Sequence, residues 1–176
     1  MVTIDFFELI KNRHSVRAFK NKEVEEEKIR KILEAANLAP SAGNLQSYEI
    51  ILIRNEKTKK ELVEASYGQK FIEEAPVVVI ICANPERSAI KYGRRGAELY
   101  CINDADIAAS YIQLAATELG LGSCWVGAFD EFKVKNIIKA PEYVKPIAII
   151  PIGYPDEIPY SSIRRNLDDL VHEERY

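Results

Sequence analysis

The segment from Asn103 to Leu119 constrains this chain more than any other. Ile107, Ala108, Tyr111, Ile112, Ala115, Ala116 and Leu119 wrap most of the circumference of a 3.6-residue helix. Gly120 stands where a helix C-terminal cap belongs. A helix this apolar and this rich in alanine must be enclosed by other elements. Pro76 to Ala83 is nearly all β-branched or apolar and reads as a strand covered on both faces. Tyr48 to Ile53, Gly122 to Val126 and Lys145 to Ile152 read as further strands. Asp5 to Lys11 reads as a short helix with Phe6, Leu9 and Ile10 on one face. Glu23 to Ala36, Lys57 to Ser66 and Glu131 to Ile138 also read as helices. Helices alternating with buried strands predict an α/β or α+β class, with a sheet covered by helices.

The size fits one such body. The 176 residues make about one domain, and 47% apolar content is enough for a core without disulfides or metal. Lys and Arg number 24 against 27 Asp and Glu, a net charge of −3. That balance lacks the basic footprint of a nucleic-acid binder. No apolar run approaches the ~20 residues of a membrane span, and Met1 to Asp5 lacks the basic and apolar regions of a secretory signal. Cys82, Cys101 and Cys124 are odd in number and widely spaced, which predicts a reducing cytoplasm rather than a disulfide frame or zinc site. With His14 and His172 the only histidines, a multi-histidine metal site is excluded. From Tyr154 onward the chain carries too few apolar residues for a core of its own. It reads either as a frayed terminus or as an arm that docks elsewhere, on a second subunit for instance.

Familiar catalytic signatures are missing. The sequence contains no G-x-x-x-x-G-K-[ST], H-E-x-x-H, EF-hand pattern or G-x-S-x-G. Gly120-Leu121-Gly122 follows a helix and precedes a strand, the reverse of a dinucleotide-binding turn. What remains is a set of anion-binding and loop residues. Arg13-His14-Ser15-Val16-Arg17 closes the first helix, and on a helix Arg13 and Arg17 share a face. Two guanidiniums and a hydroxyl suit a phosphate, although a solvated basic edge fits the same residues. Pro40 to Gln46 offers short polar side chains and backbone amides that line a ligand edge or form a simple turn. Gly122 to Ala128 runs from a strand into small residues, which admit a flat ligand or close helix packing. Arg164-Arg165 is a second basic pair.

These residues resemble the FMN-dependent nitroreductase family. Four segments match in order: Arg13 to Arg17; Ala39-Pro40-Ser41-Ala42-Gly43-Asn44-Leu45-Gln46; Gly120 to Phe129; and Arg164-Arg165-Asn166-Leu167-Asp168-Asp169-Leu170-Val171-His172. The resemblance implies an α/β/α-layered α+β fold with a mixed, mostly antiparallel central sheet. Residues 1–153 would form the FMN-binding domain, and 154–176 an arm wrapping the partner in an intertwined homodimer. Each FMN would sit at the dimer interface. Arg13, His14, Ser15 and Arg17 would hold its phosphate, ribityl and pyrimidine side, and Pro40, Ser41, Ala42 and Asn44 would reach it from the other subunit. Gln69 would meet its polar edge. Val126, Gly127 and Ala128 would pass beside the isoalloxazine, and Arg164 or Arg165 would complete the phosphate clamp.

The implied activity is a ping-pong cycle, in which hydride passes from NAD(P)H through flavin N5 to an electron-poor small molecule such as a nitroaromatic or quinone. No catalytic side chain is required, no metal, no nucleic acid and no membrane. Other reactions on the same frame are dehalogenation, flavin breakdown and enone reduction; a non-catalytic FMN-binding module is a further alternative. Two features depart from the pattern. Ser47 follows Gln46 where many relatives have proline, and Gly127 replaces the acidic residue of longer members, which resembles a short, glycine-bearing branch. Glu86 to Tyr100, a polar, aromatic and basic mixture without a core pattern, is expected to cover the substrate side.

Overall fold

The computed structural model describes residues 5–158 and 163–176. Its centre is a four-stranded sheet of β1 (Tyr48–Ile53), β2 (Val77–Ala83), β3 (Gly122–Ser123) and β4 (Lys145–Gly153), ordered β1-β2-β4-β3. All three ladders are antiparallel, and the parallel component is a bridge between Ser15 and Ser123. Every residue of β2 is buried, as expected of a strand covered on both faces. Side-chain alternation then divides the core in two. Val77, Val79, Ile81, Ala148, Ile150 and Ile152 face α2 (Glu26–Asn37) and α6 (Cys101–Glu118). Val78, Ile80, Cys82 and Ile149 face α3 (Glu56–Ala65), α4 (Phe71–Glu74) and α7 (Glu131–Ile138). The result is the three-layered α+β arrangement expected.

Helix α6 is the central helix that its composition predicts, two residues longer at its start. Cys101, Ala105, Ala108, Ala109, Ile112 and Ala116 are buried, with alanine allowing close approach to the sheet. On its outer side Tyr111 is 38% exposed, and α6 also contacts α1 (Phe6–Asn12), which buries none of its residues and leaves Phe6 and Phe7 59% and 66% exposed. α2 begins three residues later than expected. Glu25 is extended there, and its carboxylate accepts the Tyr154 hydroxyl at 2.7 and 2.8 Å instead of entering the helix.

The segment 85–100, to which the sequence assigned no element, is helical. Asn84 caps α5 (Pro85–Arg95), accepting the Arg87 amide at 3.1 Å, and a π-helical turn (Gly96–Tyr100) joins it to α6. An asparagine followed by proline is a readable helix start. The polar composition hid it. The chain reverses at Gly93, whose positive φ of 53° is accessible to glycine.

Candidate functional site

The segment expected to end the first helix leaves it early. Arg13 caps α1 in an extended conformation (φ −71°, ψ 118°), and Val16 donates its amide to the Ser123 carbonyl at 2.9 Å. Residues 13–17 therefore alternate with the period of a strand. Val16 is buried, while Ser15 and Arg17 are exposed and Arg13 half-buried. Arg13, Ser15 and Arg17 still share one side, but through an i, i+2, i+4 repeat and not through a helical face. All three act on the Cys124 thiol. Burial pushes its thiol upward, Arg17, a hydrogen bond from Ser15 and Arg13 pull it back, and Glu157 opposes them. Glu157 belongs to the segment that follows β4 and bridges Phe19 at Pro155: its carboxylate accepts the Arg17 amide at 2.6 Å, and Asp156 donates its amide to the Ala18 carbonyl.

Gly122 makes this edge possible. A Cβ there would lie 2.7–2.9 Å from three side-chain atoms of Val16. Gly122→Ala should therefore displace the 15–17 segment and cost about 1–3 kcal/mol. Thermal unfolding checks this, and an unchanged Tm would refute the packing argument.

From Cys124 the chain continues along β4. Val126 pairs with Ile149 in both directions at 2.9 and 3.0 Å. Gly127 and Ala128 are exposed. The Gln69 amide nitrogen donates to the Ala128 carbonyl at 3.1 Å and to that of Ser66 at 3.0 Å, which leaves its carbonyl oxygen as an acceptor at the far end of the strip. Five residues of extended chain place Ser123 and Ala128 about 16 Å apart. A cationic hydroxyl-bearing end thus connects through a small-residue backbone to a carboxamide.

The Pro40 loop lies elsewhere in the subunit. Asp104, buried in the first turn of α6, accepts the Ala42 amide at 2.9 Å and the Ser47 amide at 3.3 Å. The Ser41 hydroxyl accepts the Gln46 amide at 3.0 Å, and the side chains of Asn44 and Gln46 are hydrogen-bonded. Pro40, Ser41 and Ala42 line a cavity of about 250 Å³ with Tyr100, Asn103, Asp104 and Ile107. This loop stands at the start of α6 and Ser123 beyond its end, and 18 helical residues span about 27 Å. One subunit therefore does not bring the two halves together. Arg164 and Arg165 are exposed, and Arg165 donates to the Asp169 carbonyl at 2.7 Å. Among the described residues no hydrogen bond or ion pair links either arginine to residues 13–17.

Residues 10–69 and 64–154 match the sequence profile of the nitroreductase family. The chain belongs to that family. It is 34% identical over 178 residues to a protein of Methanothermobacter thermautotrophicus, a match covering 98% of this chain and 88% of that protein. It is 32% identical over 186 residues to the NADH dehydrogenase of Thermus thermophilus, covering 90% and 91%. Among solved structures it resembles the NADPH:FMN oxidoreductase of Vibrio harveyi complexed with NAD+, with a TM-score of 0.89 and 25% identity over 97% of this chain and 77% of that one.

Within this nitroreductase-family chain, Asp104, which accepts two amides of the candidate Pro40 loop, is the residue that sequence reasoning missed. Its signal was a lone acid among the alanines and isoleucine that form the buried face of α6. The thiols follow burial. Cys82 is pushed up to about 12, and Cys101 and Cys124 are also raised by desolvation. At pH 8 all three should resist a disulfide reagent in the native protein and react in concentrated guanidinium chloride. Rapid native labelling of Cys124 would contradict its enclosure. Among the described residues no cluster of three His, Cys, Asp or Glu suits a metal, and no helix is long and apolar enough to cross a membrane.

Proposed function

We propose that this nitroreductase-family protein is an FMN-dependent NAD(P)H oxidoreductase acting as a homodimer in the cytoplasm, with a small electron-poor molecule as acceptor. The observation that carries the reading is the strip of Arg13, Ser15 and Arg17 leading past Val126, Gly127 and Ala128 to Gln69. Its chemistry fits the group: guanidiniums and a hydroxyl for a phosphate, exposed small residues for a flat ring, and a carboxamide oxygen for a ring N–H. His14 stands half-buried beside this end. Bound FMN supplies the two-electron carrier between nicotinamide and acceptor. The chain's residues bind and orient it. Arg17 or Arg13 offsets negative charge, and the backbone at 126–128 excludes water from one ring face. For a nitroarene the overall balance is NAD(P)H + H⁺ + ArNO₂ → NAD(P)⁺ + ArNO + H₂O.

The second half of the site belongs to the other subunit. Pro40, Ser41, Ala42 and Asn44 stand at the wrong end of α6 to serve their own strip, and a two-fold axis brings them to the partner's. The exposed apolar face of α1 and α6 gives such an axis a surface. The 154–176 arm is the other link, described at residues 154–158 and 163–176; residues 159–162 lie outside the described residues, as do 1–4 of the 1–153 body. Ile163, Leu167, Leu170 and Val171 are all at least half exposed on their own subunit. Docking across the dimer would bury them and carry Arg164 or Arg165 to the phosphate.

The test is the visible spectrum of the purified protein after FMN addition and desalting. The expected result is a retained flavin band that bleaches anaerobically with NADH or NADPH. A retained band that never bleaches would indicate binding without this activity. No retained band would overturn the cofactor.

A further inference from the structure

The hairpin of α5 and the π-helical turn carries aromatic and cationic side chains that have no part in the proposed FMN site. Tyr92 and Tyr100 meet edge to face with centroids 5.1 Å apart. Arg95 lies over the Tyr100 ring at 5.5 Å and donates to its hydroxyl at 3.0 Å. Tyr100 is also a wall of the 250 Å³ cavity beside Pro40, Ser41 and Ala42. On the other flank, Tyr92 and Lys91 close over the same loop. A Cβ on Gly43 would lie 2.5 Å from the Tyr92 hydroxyl and 2.8 Å from the Lys91 ammonium. Arg87 ties the hairpin down by donating to the Leu45 carbonyl. Gly96 packs so tightly on Ser88 that a Cβ would meet its carbonyl oxygen at 2.5 Å.

Charge is distributed unevenly on this hairpin. Arg94 is neutralised by Glu98 at 2.7 Å, whereas Lys91 and Arg95 make no salt bridge among the described residues. The one carboxylate lining the cavity, Asp104, is occupied by the Ala42 and Ser47 amides. Two cations therefore stand on tyrosine rings next to the walls of this cavity, Arg95 on the wall residue Tyr100 and Lys91 over Tyr92 at 5.4 Å, in a protein of net charge −3. A cation over a ring face is held there by the ring and stays open to an incoming anion. The cavity's size suits a single aromatic ring, and Tyr100 in its wall offers that ring an aromatic partner.

We infer that Lys91 and Arg95 select planar, single-ring acceptors that carry an anionic group, through a cavity walled by Tyr100 and the Pro40 loop. The inference rests on the proposed reductase activity and names its acceptor class. A carboxylate on the ring reaches the Arg95 or Lys91 head group while the electron-poor part of the ring stays inside. The 2′-phosphate of NADPH is another source of negative charge, and the experiment separates the two.

The FMN-loaded protein is assayed with 4-nitrobenzoate and with neutral 4-nitrobenzamide, using NADH as donor. The two acceptors differ in intrinsic reactivity, so the quantity read is the ratio of their kcat/KM values, compared between variants. Lys91 and Arg95 are exposed, so Arg95→Met and Lys91→Met should each lower that ratio about two- to fivefold, the range for an exposed charge contact. Arg95→Lys should recover part of it. The wild-type ratio should also fall with added salt as screening shortens the reach of both cations. Arg94→Met, whose charge is already paired, serves as the control and should leave the ratio in place.

An equal loss in Arg94→Met, or no change in the Arg95 and Lys91 variants, would overturn the inference. So would a fall in the NADPH-to-NADH preference with the acceptor ratio unmoved, since the cations would then be reading the donor. If the loaded protein does not oxidise NAD(P)H at all, the reductase reading fails separately. In that case calorimetric binding of 4-nitrobenzoate decides the selection: weaker binding to Arg95→Met than to wild type supports it, and equal binding overturns it.

Discussion

Arg13→Ala should weaken FMN binding by about 1.5–3 kcal/mol, roughly 10- to 150-fold, as expected for one lost charge-assisted contact. Arg13 stands where α1 ends and the extended 14–17 segment begins, half-buried and close enough to Cys124 to influence its thiol. Its backbone is fixed on both sides, by the Arg13 amide bonded to the Leu9 carbonyl and by the Val16 amide bonded to the Ser123 carbonyl. Titration of the flavin-free protein with FMN, followed by quenching of flavin fluorescence, gives the Kd directly. Arg30→Ala, which removes an exposed ion pair with Glu34 on α2, is the matched control and should change little. Unchanged FMN affinity in Arg13→Ala would remove the guanidinium from the phosphate clamp.

A larger effect is expected from charging the exposed apolar face. Ile10→Asp combined with Tyr111→Asp should convert a species of twice 20.0 kDa into one of 20.0 kDa, with loss of retained flavin. Ile10 is 43% and Tyr111 38% exposed on the isolated subunit, so the subunit itself should keep its secondary structure. At a dimer interface, by contrast, each carboxylate would lose its water without gaining a partner, a cost of several kcal/mol per ion. Sedimentation equilibrium together with the flavin spectrum reads both consequences. A folded monomer retaining full flavin would refute the two-subunit site, and a persistent dimer would place the interface elsewhere.

Much of the fold was legible because burial leaves a pattern. The unbroken apolar run of β2 and the nearly all-round apolar surface of α6 can be satisfied only at the centre of a layered body. The 13–17 segment was legible in its residue types and misread in its period. Two arginines four apart fit one helical turn as well as alternate positions of a strand, and the choice is made by Ser123, more than a hundred residues away. α5 escaped for a different reason. Its one buried residue is Ser88 and its Ile90 is 86% exposed, so no run of buried apolar residues marks it. The role of Asp104 depended on which backbone amides it would face, a matter of tertiary structure alone.

Asp104 also bears on how readily the Pro40 loop meets a ligand. Gly43, Asn44 and Gln46 all adopt positive φ, a conformation that a flexible loop visits rarely. With both carboxylate oxygens engaged by Ala42 and Ser47, that shape is set when the chain folds and not when a ligand arrives. The ordering entropy that usually opposes capture by a polar loop has already been absorbed by the native state. Encounter with this half of the site is preorganised, and its association rate should follow diffusion and charge instead of loop rearrangement.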